Sequence, residues 1–84
     1  NAFTPNNDQI NDVFRIPPAS SLNLKEFSIF DRWGNKVFSS TNILKGWDGR
    51  INGLLAPTGI YIYTIKGTDI HGEVNKRGIV TLLR

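Results

Sequence analysis

Seven acidic side chains, one histidine and no cysteine are the groups from which acid–base, nucleophilic or metal chemistry would have to be built in this 84-residue chain. A catalytic nucleophile needs a base beside it that is itself held in place. The one histidine, His71, stands in Asp69-Ile70-His71-Gly72, a turn signature, and is expected to be a solvent-exposed turn residue. A zinc site needs three or four ligands, usually His or Cys, and the supply is absent. Glycoside hydrolysis needs two acids facing each other across a sugar-sized cleft. The Asp and Glu residues here fall in or near turns, and so short a chain leaves little room for a cleft. No Gly-rich phosphate loop is present. The residues argue against an enzyme.

The stretch Asn6-Asn7-Asp8-Gln9-Ile10-Asn11-Asp12 is a candidate for a hard cation. Calcium takes six to eight oxygens from closely spaced carboxylates, amides and carbonyls. Asn6, Asp8 and Asp12 could supply side-chain oxygens. Only two carboxylates are available, however, and no Gly makes the sharp turn, so Asx-turns closed by these side chains are the competing reading. Two tryptophans invite a second question. Trp33 at the end of one apolar segment, and Trp47 within Gly46-Trp47-Asp48-Gly49, could stack on a sugar. The plainer expectation is that Trp47 anchors the long 41–58 connection and that Trp33 packs in the core or at an edge. Lys76-Arg77 is the one dense basic pair. The net charge is +3, and the excess lies in residues 43–84. That fits a solvated strand face, since a nucleic-acid surface needs a larger basic stripe with stacking aromatics. No apolar run approaches the roughly 20 residues of a membrane-spanning helix, and Asn1-Ala2-Phe3-Thr4-Pro5 lacks the charged start and apolar stretch of a signal peptide.

Strands must position these residues. Ile and Val far outnumber Ala2, Ala19 and Ala56, and no apolar stretch has a helical period of useful length. Val13-Phe14-Arg15-Ile16 reads as a short strand stopped by Pro17-Pro18. Residues 24–33 and 36–40 read as a hairpin turning at Gly34-Asn35. Three turn signals, Asp48-Gly49, Asn52-Gly53 and Pro57-Thr58-Gly59, punctuate the long connection. Residues 59–66 (GIYIYTIK) are apolar on both faces, which predicts a central strand covered on both sides. Residues 73–83 pair with it after the turn at His71, with Gly78 as a bulge or close-approach site. The length allows one domain over residues 1–84. The expected fold is all-β: an antiparallel two-sheet sandwich, immunoglobulin-like, with about six or seven strands. A first residue other than Met suggests a piece of something longer.

The motifs also assemble in order. Asn1-Ala2-Phe3-Thr4-Pro5-Asn6, Asp8, Ile10-Asn11-Asp12 and Phe14 open the chain. Ile29-Phe30-Asp31-Arg32-Trp33-Gly34 with Val37-Phe38 follows. Gly46-Trp47-Asp48-Gly49 and Asn52-Gly53 come next, then Pro57, Gly59, Tyr61 and Tyr63. Gly78, Val80, Thr81 and Leu82 close the series. From end to end this resembles the gliding-motility-associated C-terminal domain, the type B sorting domain of type IX secretion substrates in Bacteroidota. The family commonly has Asn-Gly-Asp-Gly where this chain has Asn6-Asn7-Asp8-Gln9, and Asn where Asp31 stands.

The resemblance implies a C-terminal sorting and anchoring module of a large secreted protein, adhesin-like, carried through the type IX machinery. It implies a small outer-membrane β-barrel as partner, passage through the periplasm, and a final place at the cell surface. It implies no cofactor (calcium aside), no nucleic acid, no membrane span of its own and a monomeric domain. The candidate partner-binding residues are Trp33, Gly34, Trp47, Asp48, Gly49, Lys76 and Arg77, together with exposed backbone along Glu73–Arg84, where strand addition could occur. Two other readings remain. One is a carbohydrate-binding module of the adhesin using Trp33, Trp47 and the 41–58 loop, and the other is a structural spacer.

Overall fold

The computed structural model describes residues 2–4, 13–16 and 21–84. Among these, seven strands form: β1 (Ala2–Phe3), β2 (Asn23–Phe30), β3 (Lys36–Ser40), β4 (Arg50–Ile51), β5 (Leu54–Leu55), β6 (Gly59–Asp69) and β7 (Gly72–Leu82). Five of them make one sheet in the order β1-β7-β6-β2-β3, and β4-β5 make a separate two-stranded ribbon. The fold is all-β, as the composition implies. It is built on one large sheet and a small ribbon. The second full layer of an immunoglobulin-like sandwich is not established by this arrangement.

The strand with the strongest apolar signal is central. β6 pairs antiparallel with β7 over its full length, from Gly59↔Leu82 to Asp69↔Gly72, without a register shift. On its other side it pairs with β2, from Asn23↔Thr68 to Phe30↔Ile62, with a shift between Leu24 and Glu26. β1 is the one parallel neighbour, meeting β7 only at Ala2↔Thr81 and Phe3↔Leu82. β6 and β7 turn through Ile70-His71, where the His71 amide donates to the Asp69 carboxylate at 2.7 Å. His71 is exposed, as expected. Asn52 and Gly53 both have positive φ (52° and 81°) and close the β4-β5 ribbon. A two-residue turn with positive φ at both positions matches the twist of paired strands and favours Asn-Gly.

Alternation along the strands sorts side chains to two faces. Tyr61, Tyr63 and Ile65 of β6 share one face with Phe27 and Ile29 of β2, with Val80 and Leu82 of β7, and with Phe3 beside Leu82. Phe3, Phe27, Ile29, Tyr61, Val80 and Leu82 are buried there, together with Ile16, Trp47 and Ala56 from the connections. Phe14, Ile43 and Ile51 pack against this cluster. The layer covering the sheet is thus loop and ribbon.

Three expectations change, and the structure chooses between the two offered for Gly78. The central strand is not covered on both sides, since Ile60 is 53% exposed and Ile79 58%. Val13–Ile16 forms no strand, only an isolated bridge, Phe14↔Trp47. β2 stops at Phe30, and the hairpin turns through residues 31–35 instead of a two-residue Gly34-Asn35 turn. Gly78 is no bulge, because the β6-β7 ladder is continuous there. It is a close-approach site: the Tyr63 ring lies across it, and a Cβ at this position would fall inside the ring's envelope. Pro17-Pro18 lies outside the described residues.

Candidate functional site

Most of the candidate residues fall in two clusters, one around Trp47 on the covered face and one at the β2-β3 tip and along the uncovered face. The first surrounds Trp47. The Phe14 and Trp47 amides donate to each other's carbonyls at 2.9 Å, which fixes the connection beneath the sheet. The Trp47 ring is fully buried, 5.5 Å from the Phe3 ring and 4.8 Å from Tyr61 in an edge-on arrangement. Its indole N–H donates to the Arg50 carbonyl at 3.0 Å, so its one polar atom is satisfied. Trp47 therefore anchors the 41–58 connection, and its side chain offers no surface to a sugar or a partner. Gly49 is buried too. Its carbonyl accepts from the Ala56 amide at 2.8 Å and from the Arg84 guanidinium at 2.9 Å. Arg84 also donates to the Ala56 carbonyl at 2.9 Å. Asp48 is exposed, and its carboxylate accepts from the Arg50 amide at 3.1 Å. Within the Gly-Trp-Asp-Gly motif, then, Trp47 and Gly49 are buried supports and Asp48 stands at the surface.

The second cluster is at the β2-β3 tip and on the uncovered face. The Asp31 carboxylate accepts from the amides of Trp33 and Asn35 at 2.9 Å and from the Asn35 side-chain amide at 3.0 Å. These donors, the Asn35 backbone first, hold its pKa below the ordinary carboxylate range. The turn so fixed holds Trp33 out in solvent. Trp33 is 73% exposed, which corrects the expectation of core or edge packing. The Arg32 guanidinium lies over its ring at 4.4 Å. A shallow cleft of about 180 Å³ runs from Asp31, Arg32 and Trp33 to Ile60 and Tyr61.

A second depression, about 270 Å³, is bounded by Phe30, Gly34, Ile62, Thr64 and Arg77. The fold thus brings Gly34 and Arg77 to one depression, although they lie far apart in sequence. Lys76 is exposed but alternates to the opposite face, across from Ile65. Near the depression, Lys36 bonds Glu26 at 2.8 Å, and Ser28 donates to the same carboxylate at 2.8 Å. The Lys36 contact is the largest cause, and Ser28 adds to it, of a Glu26 pKa lowered to about 2.

The candidate calcium ligands Asn6, Asp8 and Asp12 lie outside the described residues. Sequence reading missed the exposed isoleucines of the open face. The signal available was across the strand: apart from Ile79, the β7 residues on that face (Glu73, Asn75, Arg77, Thr81) are polar.

The outer side of β7 is the other open feature. β1 covers only Thr81 and Leu82, so among the described residues Gly72–Val80 has no strand beside it. No helix among the described residues is long and apolar enough to cross a membrane. No curated protein matches the chain. The family model described as CHU_C Type IX secretion signal domain matches residues 1–82, and the chain belongs to that family.

Proposed function

We propose that this chain is a non-catalytic C-terminal address that carries a large, adhesin-like surface protein through the type IX machinery to the cell surface. It does so by binding a small outer-membrane β-barrel. The match to a secretion signal family over residues 1–82 carries this reading. The open edge of β7 supports it. β7 keeps unbroken register with β6 over eleven residues, and among the described residues no strand pairs with the outer side of Gly72–Val80; strand addition at such an edge supplies affinity through backbone hydrogen bonds. The other edge, β3, has five residues, and its ladder with β2 shifts between Ile29 and Phe30. Such irregularities bend an edge and spoil it as a template.

The test is fusion of residues 1–84 to a periplasmic reporter in a type IX-competent cell, with and without the barrel. Display on the surface only with the barrel supports the reading. Display without it removes the barrel, and a reporter that stays in the periplasm under both conditions removes the address.

Exposure of Trp33 beside a cleft favours one alternative, carbohydrate binding, now without Trp47. A titration with simple sugars that leaves Trp33 fluorescence unchanged would retire it. Calcium binding by Asn6, Asp8 and Asp12 is a separate proposal. It predicts a higher melting temperature at millimolar Ca²⁺, and an unshifted melt would end it.

A further inference from the structure

On the uncovered face, cross-strand pairing places Arg77 beside Thr64 and Ile79 beside Ile62. Arg77 and Ile79 are two residues apart on the edge strand, so they point the same way. Ile79 is 58% exposed. Arg77 makes no ion pair among the described residues, where the one salt bridge is Lys36–Glu26. Arg77 also borders the depression formed with Phe30, Ile62, Thr64 and Gly34. Among the described residues the edge strand thus presents a ladder side over Gly72–Val80 that no strand pairs and, on the uncovered face, one unpaired cation and one exposed aliphatic side chain at period two.

Resting on the address reading, we propose that β7 is read by an extended segment of the barrel partner that pairs with residues 73–80. That segment carries an acidic side chain and an apolar side chain two residues apart. Directly opposed side chains on paired strands lie roughly 4.5–5.5 Å apart at Cβ. A carboxylate opposite Arg77 and an aliphatic group opposite Ile79 would therefore meet their complements without rearrangement of the sheet. Lys76, alternating to the other side, adds a second cation for an acid at the adjacent position of the same strand. Charge complementarity chooses the occupant. The polybasic surfaces that hold anionic membranes use roughly four to eight Lys or Arg. Here Lys36 is taken by Glu26, which leaves Lys66 and Arg77 on this face. Guarding the edge against self-association is the competing explanation for the charge at Lys76-Arg77.

The experiment uses the reporter fusion in the cell that holds the barrel, with a graded series. Arg77→Lys and Ile79→Val keep display, Arg77→Gln lowers it several-fold, and Arg77→Glu and Ile79→Asp abolish it. Thermal melts of each purified variant stay within a few degrees of the parent. Display that is insensitive to charge at 77, or lost equally in Arg77→Lys and Arg77→Glu, overturns the proposal while leaving the address reading intact. Failure of the unsubstituted fusion to reach the surface ends both. The isolated domain is also sedimented with phosphatidylserine vesicles. Capture that disappears in Arg77→Glu would assign the cation to a membrane and overturn the proposal, and no capture supports it.

Discussion

The two faces of the central sheet come from the same strands and differ in almost everything else. On one face Phe3, Tyr61, Val80, Leu82, Phe27 and Ile29 are buried under Ile16, Trp47 and Ala56. Aromatic rings there lie 4.8–6.0 Å apart in tilted or edge-on pairs. On the other face, Ile60 and Ile79 stand in solvent, and Arg77 on the same face is exposed too. The first face holds the fold together, because burying large side chains is the dominant favourable term in a chain this small. The second face adds little to stability and is free to be read. Motif residues must therefore be divided by the face they serve. Gly46-Trp47-Asp48-Gly49 looks like a recognition loop and is a foundation, whereas Arg77, an ordinary charge in sequence, borders the open face.

This contrast can be broken most forcefully at Trp47. Trp47→Ala should cost about 3–5 kcal/mol, through lost transfer energy and a cavity that the surrounding rings cannot fill. Chemical denaturation should find the variant largely unfolded or nearly so. Gly78→Val comes next. The added side chain must displace the Tyr63 ring, which also packs 5.3 Å from Phe14, so about 1–3 kcal/mol should be lost. A melt unchanged from the parent would show that the ring moves freely.

On the open face the effects shrink. Glu26, held at a pKa of about 2 by Lys36 and then Ser28, contributes stability that is complete above its ordinary value of 4.5 and fades as pH falls toward 2. Glu26→Gln should therefore lower the melting temperature modestly at neutral pH, and the two proteins should converge as pH falls through about 2. The smallest effect is expected at Ile60→Lys, within about 0.5 kcal/mol of the parent, since the side chain is already half in water. A large loss there would mean that the face is covered, and the contrast would fail.

Much of the fold was legible from period and turn chemistry. The alternation of residues 59–66, the pairing with 73–83, the Asn52-Gly53 turn and the absence of helix among the described residues all follow from local rules. What local rules could not supply was coverage. Ile60 and Ile62 read as buried because they are apolar, yet burial depends on which element packs above them. The loops carrying Phe14 and Trp47 chose the other side. Trp33 was misread for the related reason that a large aromatic is usually sheltered. Its exposure comes from hydrogen bonds of Asp31 within the turn, a detail of geometry and not of hydropathy. Of the candidate partner residues, Gly34 and Arg77 border one depression only because β2-β3 and β7 flank β6, a juxtaposition set by sheet order.

Hydrogen exchange of the purified domain, alone and with the purified outer-membrane barrel, measures the central claim most directly. In the free domain the outward amides of β7 between Gly72 and Ile79 should exchange quickly, and the amides of Phe14 and Trp47 slowly. Adding the barrel should slow exchange along β7 and leave the amides around Trp47 unchanged. Protection that appears at β3 or around Trp47, with β7 still exchanging freely, would contradict the account.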